Sequence, residues 1–320
     1  MAHSTIYLHR DFDGVASAAL VLRGLREEFS VGKTALKTVD YGEPWSETTL
    51  SKPCAVVDFL YPRDATYFWD HHASAFPSRI AESHFRERSN SGDTVWFDPD
   101  EPSCALLIAR TLDELAVNEE VRDIVAWAKV IDGARYRSVK QVFASEEPAL
   151  QINLSLAEAP EDFYTRVTRL LAAGSPDAAA QSQGVQSRFA RAKEAQQVEL
   201  DYFGPRLRDE GGVASGDMSD QVLRFSRYAP YCFSPDALYS VVLYREPSRL
   251  KLLCMRNPWL DFESVDLGAL CRLYGGGHRR VGAVAFPLHE ETPAGAVLKE
   301  VRTAVLQHAA TAREMISAPV

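Results

Sequence analysis

Four short stretches of this 320-residue chain carry residues able to do chemistry together. His9, Asp11 and Asp13 lie in HRDFDG, Asp58 closes VVD, Asp70, His71 and His72 lie in WDHH, and Asp132 lies in VIDG. The first three stretches each follow a strand-like run directly. In an open parallel sheet the ligand crevice lies beyond the carboxyl ends of the strands, so residues far apart in sequence converge there. Several carboxylates in one crevice repel each other unless cations lie between them. Carboxylates mixed with imidazoles suit manganese, with magnesium, cobalt or iron as chemical neighbours, and no cysteine joins the set as it would in a structural zinc site. Two ions fit the donor count better than one. A pair roughly 3.5 to 4 Å apart, bridged by a carboxylate, would present a water-derived nucleophile in line with phosphorus, which points to phosphoester hydrolysis.

Taken singly, these residues have ordinary readings. Asp11 or Asp13 would cap a helix or sit in a turn, Asp132-Gly133 would end one, and a lone His71 or His72 would be structural. The functional reading rests on their joint placement at strand ends.

The elements that must position them are legible from pattern. STIYLHRDFDGVASAALVLRGLREEF reads as strand, a turn at Asp13-Gly14, then helix. KTALKTVDY, CAVVDFL and ATYFWDHH read as further strands, and the intervals suggest a parallel α/β sheet. Residues 102–115 and 119–131 read as helices, the second stopping near Asp132-Gly133. The stretch 73–102, with Arg79, His84, Arg86 and Arg88, reads as a solvated loop rather than a cap over the cleft. From Pro176 to Tyr202 a composition rich in Ala, Gln, Arg and Glu suggests one helix joining two domains. Beyond it, QVLRFS, LYSVVLYR, RLKLLCMR and VGAVAF read as strands, with helices at about 266–274 and 294–315. The fold class expected is α/β: a parallel-sheet domain (1–175), a helical linker (176–210) and a smaller α/β domain with a mixed sheet (211–320).

Composition agrees with a folded protein. Apolar residues make up 46% and charged residues 25%, which argues against disorder or a low-complexity fibre. The start lacks the pattern of a secretory signal and no run is long enough to span a membrane, so a cytoplasmic location is expected. The five scattered cysteines, Cys54, Cys104, Cys232, Cys254 and Cys271, fit reduced thiols. A net charge of -9 argues against coating long nucleic acid but is compatible with a small phosphorylated ligand.

HRDFDGVASAAL, VVDF, WDHH and VIDG resemble, in order, the four motifs of the DHH phosphoesterase superfamily, which includes RecJ exonucleases, nanoRNases, cyclic-dinucleotide phosphodiesterases, exopolyphosphatases and family II pyrophosphatases. LYGGGHRRVGAVAF, preceded by LLCMRN, resembles the GGGH motif of the DHH-associated C-terminal domain. The resemblance implies two divalent metals, most often Mn2+ with Mg2+ or Co2+ as alternatives. His9, Asp11 and Asp58 would hold one ion, and Asp13, Asp58, His71 and Asp132 the other. Asp70 would orient a histidine and His72 would face the substrate phosphate, the two forming the catalytic pair. Ser103 falls where the family places a hydroxyl residue, and its alternative reading is a plain N-cap. Gly275, Gly276, Gly277, His278 and Arg256 would form a substrate-binding loop and its charged partners, with Arg279 and Arg280 as helpers or surface charge. The fourth motif differs from the usual pattern, since Asp132 is followed directly by Gly133.

On this resemblance the substrate expected is a short oligonucleotide or linear dinucleotide, cut to 5'-mononucleotides at a cleft between the domains, with phosphatase action on a 3'-phosphorylated nucleotide. A cyclic dinucleotide, another small phosphoester or a polyphosphate is the second reading, and a non-hydrolysing nucleotide sensor the third. The partners expected are therefore small phosphorylated molecules or short single strands, with no membrane or long duplex and with a homodimer left open.

Overall fold

A computed structural model describes residues 4–41, 45, 49–115, 119–288 and 294–317. The chain divides into two compact units, one of Met1–Tyr136 and Ser145–Lys193, the other of Arg137–Ala144 and Glu194–Val320. Among the described residues no helix is long and apolar enough to cross a membrane.

The first unit is built on β1 (Thr5–His9), α1 (Phe12–Gly24), β2 (Ala35–Val39), β3 (Cys54–Val57), β4 (Tyr67–Asp70), α2 (Arg79–Asn90) and β5 (Val95–Phe97). Its five strands are all parallel, in the order β2-β1-β3-β4-β5. Both faces are covered, and the alternation of a strand sends residues to opposite sides. Ile6, Leu8, Val57 and Trp69 pack into one core, whereas Tyr7, Val56 and Phe68 pack into a second on the other face. On the first face lie α1, α3 (Cys104–Thr111), α4 (Glu119–Ile131) and, beyond α6 (Pro148–Ser155), α7 (Glu161–Ala173). Residues Phe12 to Arg23 of α1 are all buried, so the central helix has no exposed face over that stretch. Each fully buried Val or Leu there contributes about 1.5 to 3 kcal/mol.

Four expectations need correction in physical terms. Asp13-Gly14 is not a turn: Asp11 caps α1 by accepting from the Gly14 amide at 2.8 Å, and the chain passes from β1 into the helix at once. Residues 79–90 are not a loop but α2, capped by Ser78 and held by the buried Ala81 and Phe85. The stretch from Pro176 is two helices, α8 (Pro176–Ala180) and α9 (Gln183–Phe203), because Gln181 and Ser182 break the run where Ala179 and Ala180 enter the core. QVLRFS is not a strand of its own, since only its first two residues end a longer strand that begins at Val213.

The second unit takes in α5 (Val139–Ala144) and the end of α9, then β6 (Arg208–Glu210), β7 (Val213–Val222), α10 (Pro230–Phe233), β8 (Tyr239–Glu246), β9 (Arg249–Arg256), α11 (Leu267–Cys271), β10 (Gly276–His278), β11 (Val281–Pro287) and α12 (Ala294–Ser317). The sheet runs β10-β11-β9-β8-β7-β6 and is mixed: β7 pairs with β8 in parallel and the other pairs are antiparallel. Val297, Val301 and Val305 of α12 recur every four residues and bury a stripe against it. β7 buries Val213, Ala214, Ser215 and Met218, and the small Ala214 and Ser215 among them hide its alternation.

Candidate metal centre

Strand register explains the convergence. Leu8, Val57 and Trp69 stand in one row across β1, β3 and β4, so the next residue along each chain, His9, Asp58 and Asp70, forms a second row at the carboxyl edge. β1 is flanked by β2 and β3, the point where strand order reverses and an open α/β sheet offers its crevice. Asp58 leaves β3 with φ of 60°, in the left-handed region that non-glycine residues rarely occupy, and its amide donates to the Trp69 carbonyl at 2.9 Å. That bend sets a fully buried carboxylate at the centre of the row. Gly14 has a second role here, because a Cβ at that position would overlap the His9 backbone; its absence lets α1 start against the strand end.

The two Asp58 oxygens face different groups. Oδ2 lies 3.6 Å from His9 Nδ1, which is 2.8 Å from Asp11 Oδ2. Oδ1 lies 3.6 Å from both His71 Nε2 and His72 Nδ1. His71 Nε2 in turn stands 3.2 Å from Asp132 Oδ2 and 3.7 Å from Asp13 Oδ2. Ligand-capable atoms fall into three overlapping groups: His9, Asp11 and Asp58; Asp13, His71 and Asp132; and Asp58, His71 and His72. All six residues expected as metal ligands are thus brought together. His9 Nδ1, both Asp58 oxygens, Asp70 Oδ2 and His71 Nε2 are buried without a well-formed hydrogen bond. Buried polar atoms are seldom left so, and oxygens and imidazole nitrogens converging in this way fit a hard or borderline divalent cation.

The surroundings fix each side chain. Asp13 Oδ2 and Oδ1 accept from the amides of Cys104 at 2.6 Å and Ala105 at 3.0 Å, so the start of α3 holds this carboxylate. Ser103 accepts from the Leu106 amide at 3.2 Å and is the N-cap of that helix. His71 Nδ1 donates to the Glu101 carbonyl at 2.9 Å, which leaves Nε2 as the ring atom that faces the carboxylates. Asp70 Oδ1 accepts from the amides of His71 and His72 and from His72 Nδ1 at 2.8 Å, so the histidine it orients is His72. Phe59 stacks on His9 with ring centres 5.7 Å apart.

Charge crowding shifts the titrations. Burial works against a charged His9, but the Asp11 and Asp58 carboxylates beside it outweigh burial and raise its pKa to about 11. His71 is likewise raised to about 11, against burial, by Asp132 and Asp58. Burial and then the Asp11 charge raise Asp58 to about 6. Burial and the Asp58 and Asp132 charges push Asp13 well above the usual carboxylate range. Two carboxylates, Asp13 and Asp58, that resist ionisation beside imidazoles that resist deprotonation are what a site shaped for cations presents when only protein charges surround it.

Sequence reasoning missed the Glu101 carbonyl, the two α3 amides and Phe59. Backbone groups leave no residue-type signal, and Phe59 was open to notice only as the residue after Asp58. His84 and Arg88 are structural: His84 Nδ1 meets the Tyr61 hydroxyl at 3.0 Å, and Arg88 binds Asp93 and the Ala65 carbonyl. Arg79 and Arg86 are exposed.

In the second unit the glycine-rich stretch is not a loop. Gly276, Gly277 and His278 form the edge strand β10, paired with Ala283, Gly282 and Val281. The His278 side chain lies outside the described residues. Arg256 ends β9, and its amide donates to the Arg280 carbonyl, which brings it to the same end of the sheet as His278. Its guanidinium lies over the Phe262 ring and donates to the carbonyls of Asn257 and Phe262 at 3.1 and 3.0 Å. Arg279 and Arg280 are exposed.

No protein-family model and no curated protein sequence matches the chain. Solved structures do. The pGpG-specific phosphodiesterase PggH of Vibrio cholerae superposes with a TM-score of 0.70 at 13% identity, covering 97% of this chain and 99% of that one. RecJ of Thermus thermophilus in complex with Mn2+ gives 0.56 at 15% identity over 96% of this chain. The same protein with Mg2+ gives 0.51 at 16% identity. This chain spans about half of RecJ, 52% and 49% in the two structures. At these identities the likeness establishes the fold: the chain has the two-domain α/β architecture of DHH proteins.

Proposed function

We propose that this chain is a metal-dependent phosphoesterase that hydrolyses linear dinucleotides or short oligonucleotides to 5'-mononucleotides, with a 3'-phosphorylated nucleotide as a further substrate. The observation that carries the reading is Asp58, fully buried, with one oxygen turned to His9 and Asp11 and the other to His71, and neither in a well-formed hydrogen bond. His9, Asp11 and Asp58 would hold one divalent ion, and Asp13, Asp58, His71 and Asp132 a second. Ions held there supply Lewis-acid stabilisation of phosphoryl oxygens and make water a nucleophile at neutral pH. The donor chemistry and the Mn2+ and Mg2+ complexes of RecJ favour manganese, with magnesium or cobalt as alternatives.

The chain's own residues do the rest. The α3 amides and the Glu101 carbonyl hold Asp13 and His71, so the donors need no rearrangement when they engage. Asp70 accepts from Nδ1 of His72 and, against burial, favours the charged ring, whose Nε2–H on its partly exposed side is left to meet the phosphate and protonate the leaving oxygen. Arg256, the backbone of Gly275, Gly276 and Gly277, and His278 are assigned to substrate binding. A dinucleotide is favoured over longer chains by the near-complete overlap with PggH and by the acidic net charge.

The test is product analysis with Mn2+ on the linear dinucleotide pGpG, a five-mer, a twenty-mer, a 3'-phosphorylated nucleotide and a cyclic dinucleotide, each with a chelator control. Chelator-sensitive release of mononucleotides, fastest from pGpG, is expected. Cutting of the cyclic substrate alone, or of none, would overturn the assignment.

A further inference from the structure

Two of the five cysteines meet in the core of the second unit. Cys254 on β9 and Cys271 at the end of α11 are both fully buried, both free thiols, and their sulfurs are 3.3 Å apart. The approach depends on Gly282, which stands opposite Cys254 in β11: a Cβ there would lie 2.6 Å from the Cys271 sulfur and drive α11 off the sheet. The Cys271 carbonyl also accepts from the amides of Tyr274 and Gly275, at 3.0 and 2.8 Å. Whatever fixes Cys271 therefore fixes the chain as it enters β10.

We propose that Cys254 and Cys271 form a reversible oxidative modification site, a dithiol that a hydroperoxide converts to a disulfide, locking α11 onto β9 and with it the start of the glycine-rich strand. The sulfurs need close by only about 1.3 Å to reach bonding distance. Cys271 is the nucleophile of the pair, because it ends the short α11 beside the exposed residues 272–275 while Cys254 lies within β9, and either thiol can donate the hydrogen bond between them. Access comes from the short span of α11, five residues followed by Leu273 at 84% exposure, so that loss of one turn uncovers the sulfur. The Cys271 thiolate attacks the peroxide, the O–O bond breaks, and an alcohol or water leaves as the sulfenic acid forms. The Cys254 sulfur then attacks that sulfenic sulfur, its proton leaves with the hydroxyl group as water, and the S–S bond forms. Two thiols have lost two electrons and two protons to the hydroperoxide, and a dithiol reductant reverses the step.

The test uses the full chain with the exposed Cys232 replaced by Ser, treated with hydrogen peroxide, alkylated under denaturing conditions and mapped by mass spectrometry. The expected result is a Cys254–Cys271 cross-link removed by dithiothreitol, with Cys54 and Cys104 still alkylated. Amide exchange at Tyr274 and Gly275 should slow by about tenfold on oxidation, and not in Cys271→Ser. Alkylation of both Cys254 and Cys271 after treatment, separate sulfinic acids on each, or a cross-link with unchanged exchange would overturn the lock. Its effect on catalysis rests on the assignment of the glycine-rich strand to substrate binding, and there the KM for pGpG should change severalfold with kcat held. A cross-link with slowed exchange and an unchanged KM would uphold the lock and overturn that assignment.

Discussion

Replacing Asp58 by Asn keeps the shape of the side chain and removes the charge at the centre of the cluster. Burial and the neighbouring Asp11 raise the Asp58 pKa from 3.8 to about 6. At about 1.36 kcal/mol per pKa unit, ionised Asp58 destabilises the folded chain by about 3 kcal/mol at pH 7 when a chelator is present. The folded state keeps this proton to higher pH than the unfolded chain does. Stability should therefore fall as pH rises from about 4 to 6, and the variant should lack the Asp58 share of that fall. His9 and His71 lose one carboxylate neighbour in the variant, which trims the gain to about 1 to 3 kcal/mol. Manganese reverses the ranking. A folded-state ligand present at 100 times its dissociation constant stabilises by about 2.7 kcal/mol, and a residue facing both donor groups should take most of that gain with it. Urea unfolding at pH 5, 6 and 7, in chelator and in Mn2+, reads both effects. A variant less stable than the parent in chelator, or one stabilised equally by Mn2+, would refute the reasoning.

Four further outcomes follow from the geometry. His72→Ala should lower kcat by roughly 10²- to 10⁴-fold with Mn2+ affinity retained, and Asp70→Asn should move the basic limb of the kcat profile to lower pH, because burial disfavours a charged His72 and the Asp70 bond is what raises it; metal titration beside the pH profile checks both. Arg23→Ala should destabilise by roughly 2 to 4 kcal/mol in urea unfolding, since this buried guanidinium bonds the Leu171 and Gly174 carbonyls and pairs with Glu120. Gly14→Ala should weaken Mn2+ binding at least about tenfold and lower stability by about 1 to 3 kcal/mol, because the new Cβ must push α1 away from His9 while Asp11 and Asp13 ride on that helix; calorimetric titration with Mn2+ measures the loss.

Much of the candidate metal centre was legible because strand alternation and a parallel sheet send unrelated residues to one edge. His9, Asp58 and Asp70 could be aligned from the apolar runs that precede them, without knowing their register. The clamps on that centre were not legible. Asp13 is held by amides more than ninety residues away, and no side chain announces an amide. α2 was misjudged because its buried stripe is only Ala81 and Phe85 within a charged sequence. β7 was misplaced because a strand burying Ser215 and Ala214 looks polar beside QVLRFS, whose apolar residues mostly follow its end. The glycine run gave a true signal of close backbone approach and a false one of a loop, since glycine serves an edge strand as well as a turn.

Anomalous diffraction at the manganese edge, from crystals of the protein grown with Mn2+, tests the central claim most directly. The account expects two peaks roughly 3.5 to 4 Å apart with Asp58 between them, one beside His9 and Asp11 and the other beside Asp13, His71 and Asp132. A single peak that leaves Asp58 unengaged, or no peak at this cluster at all, would contradict it.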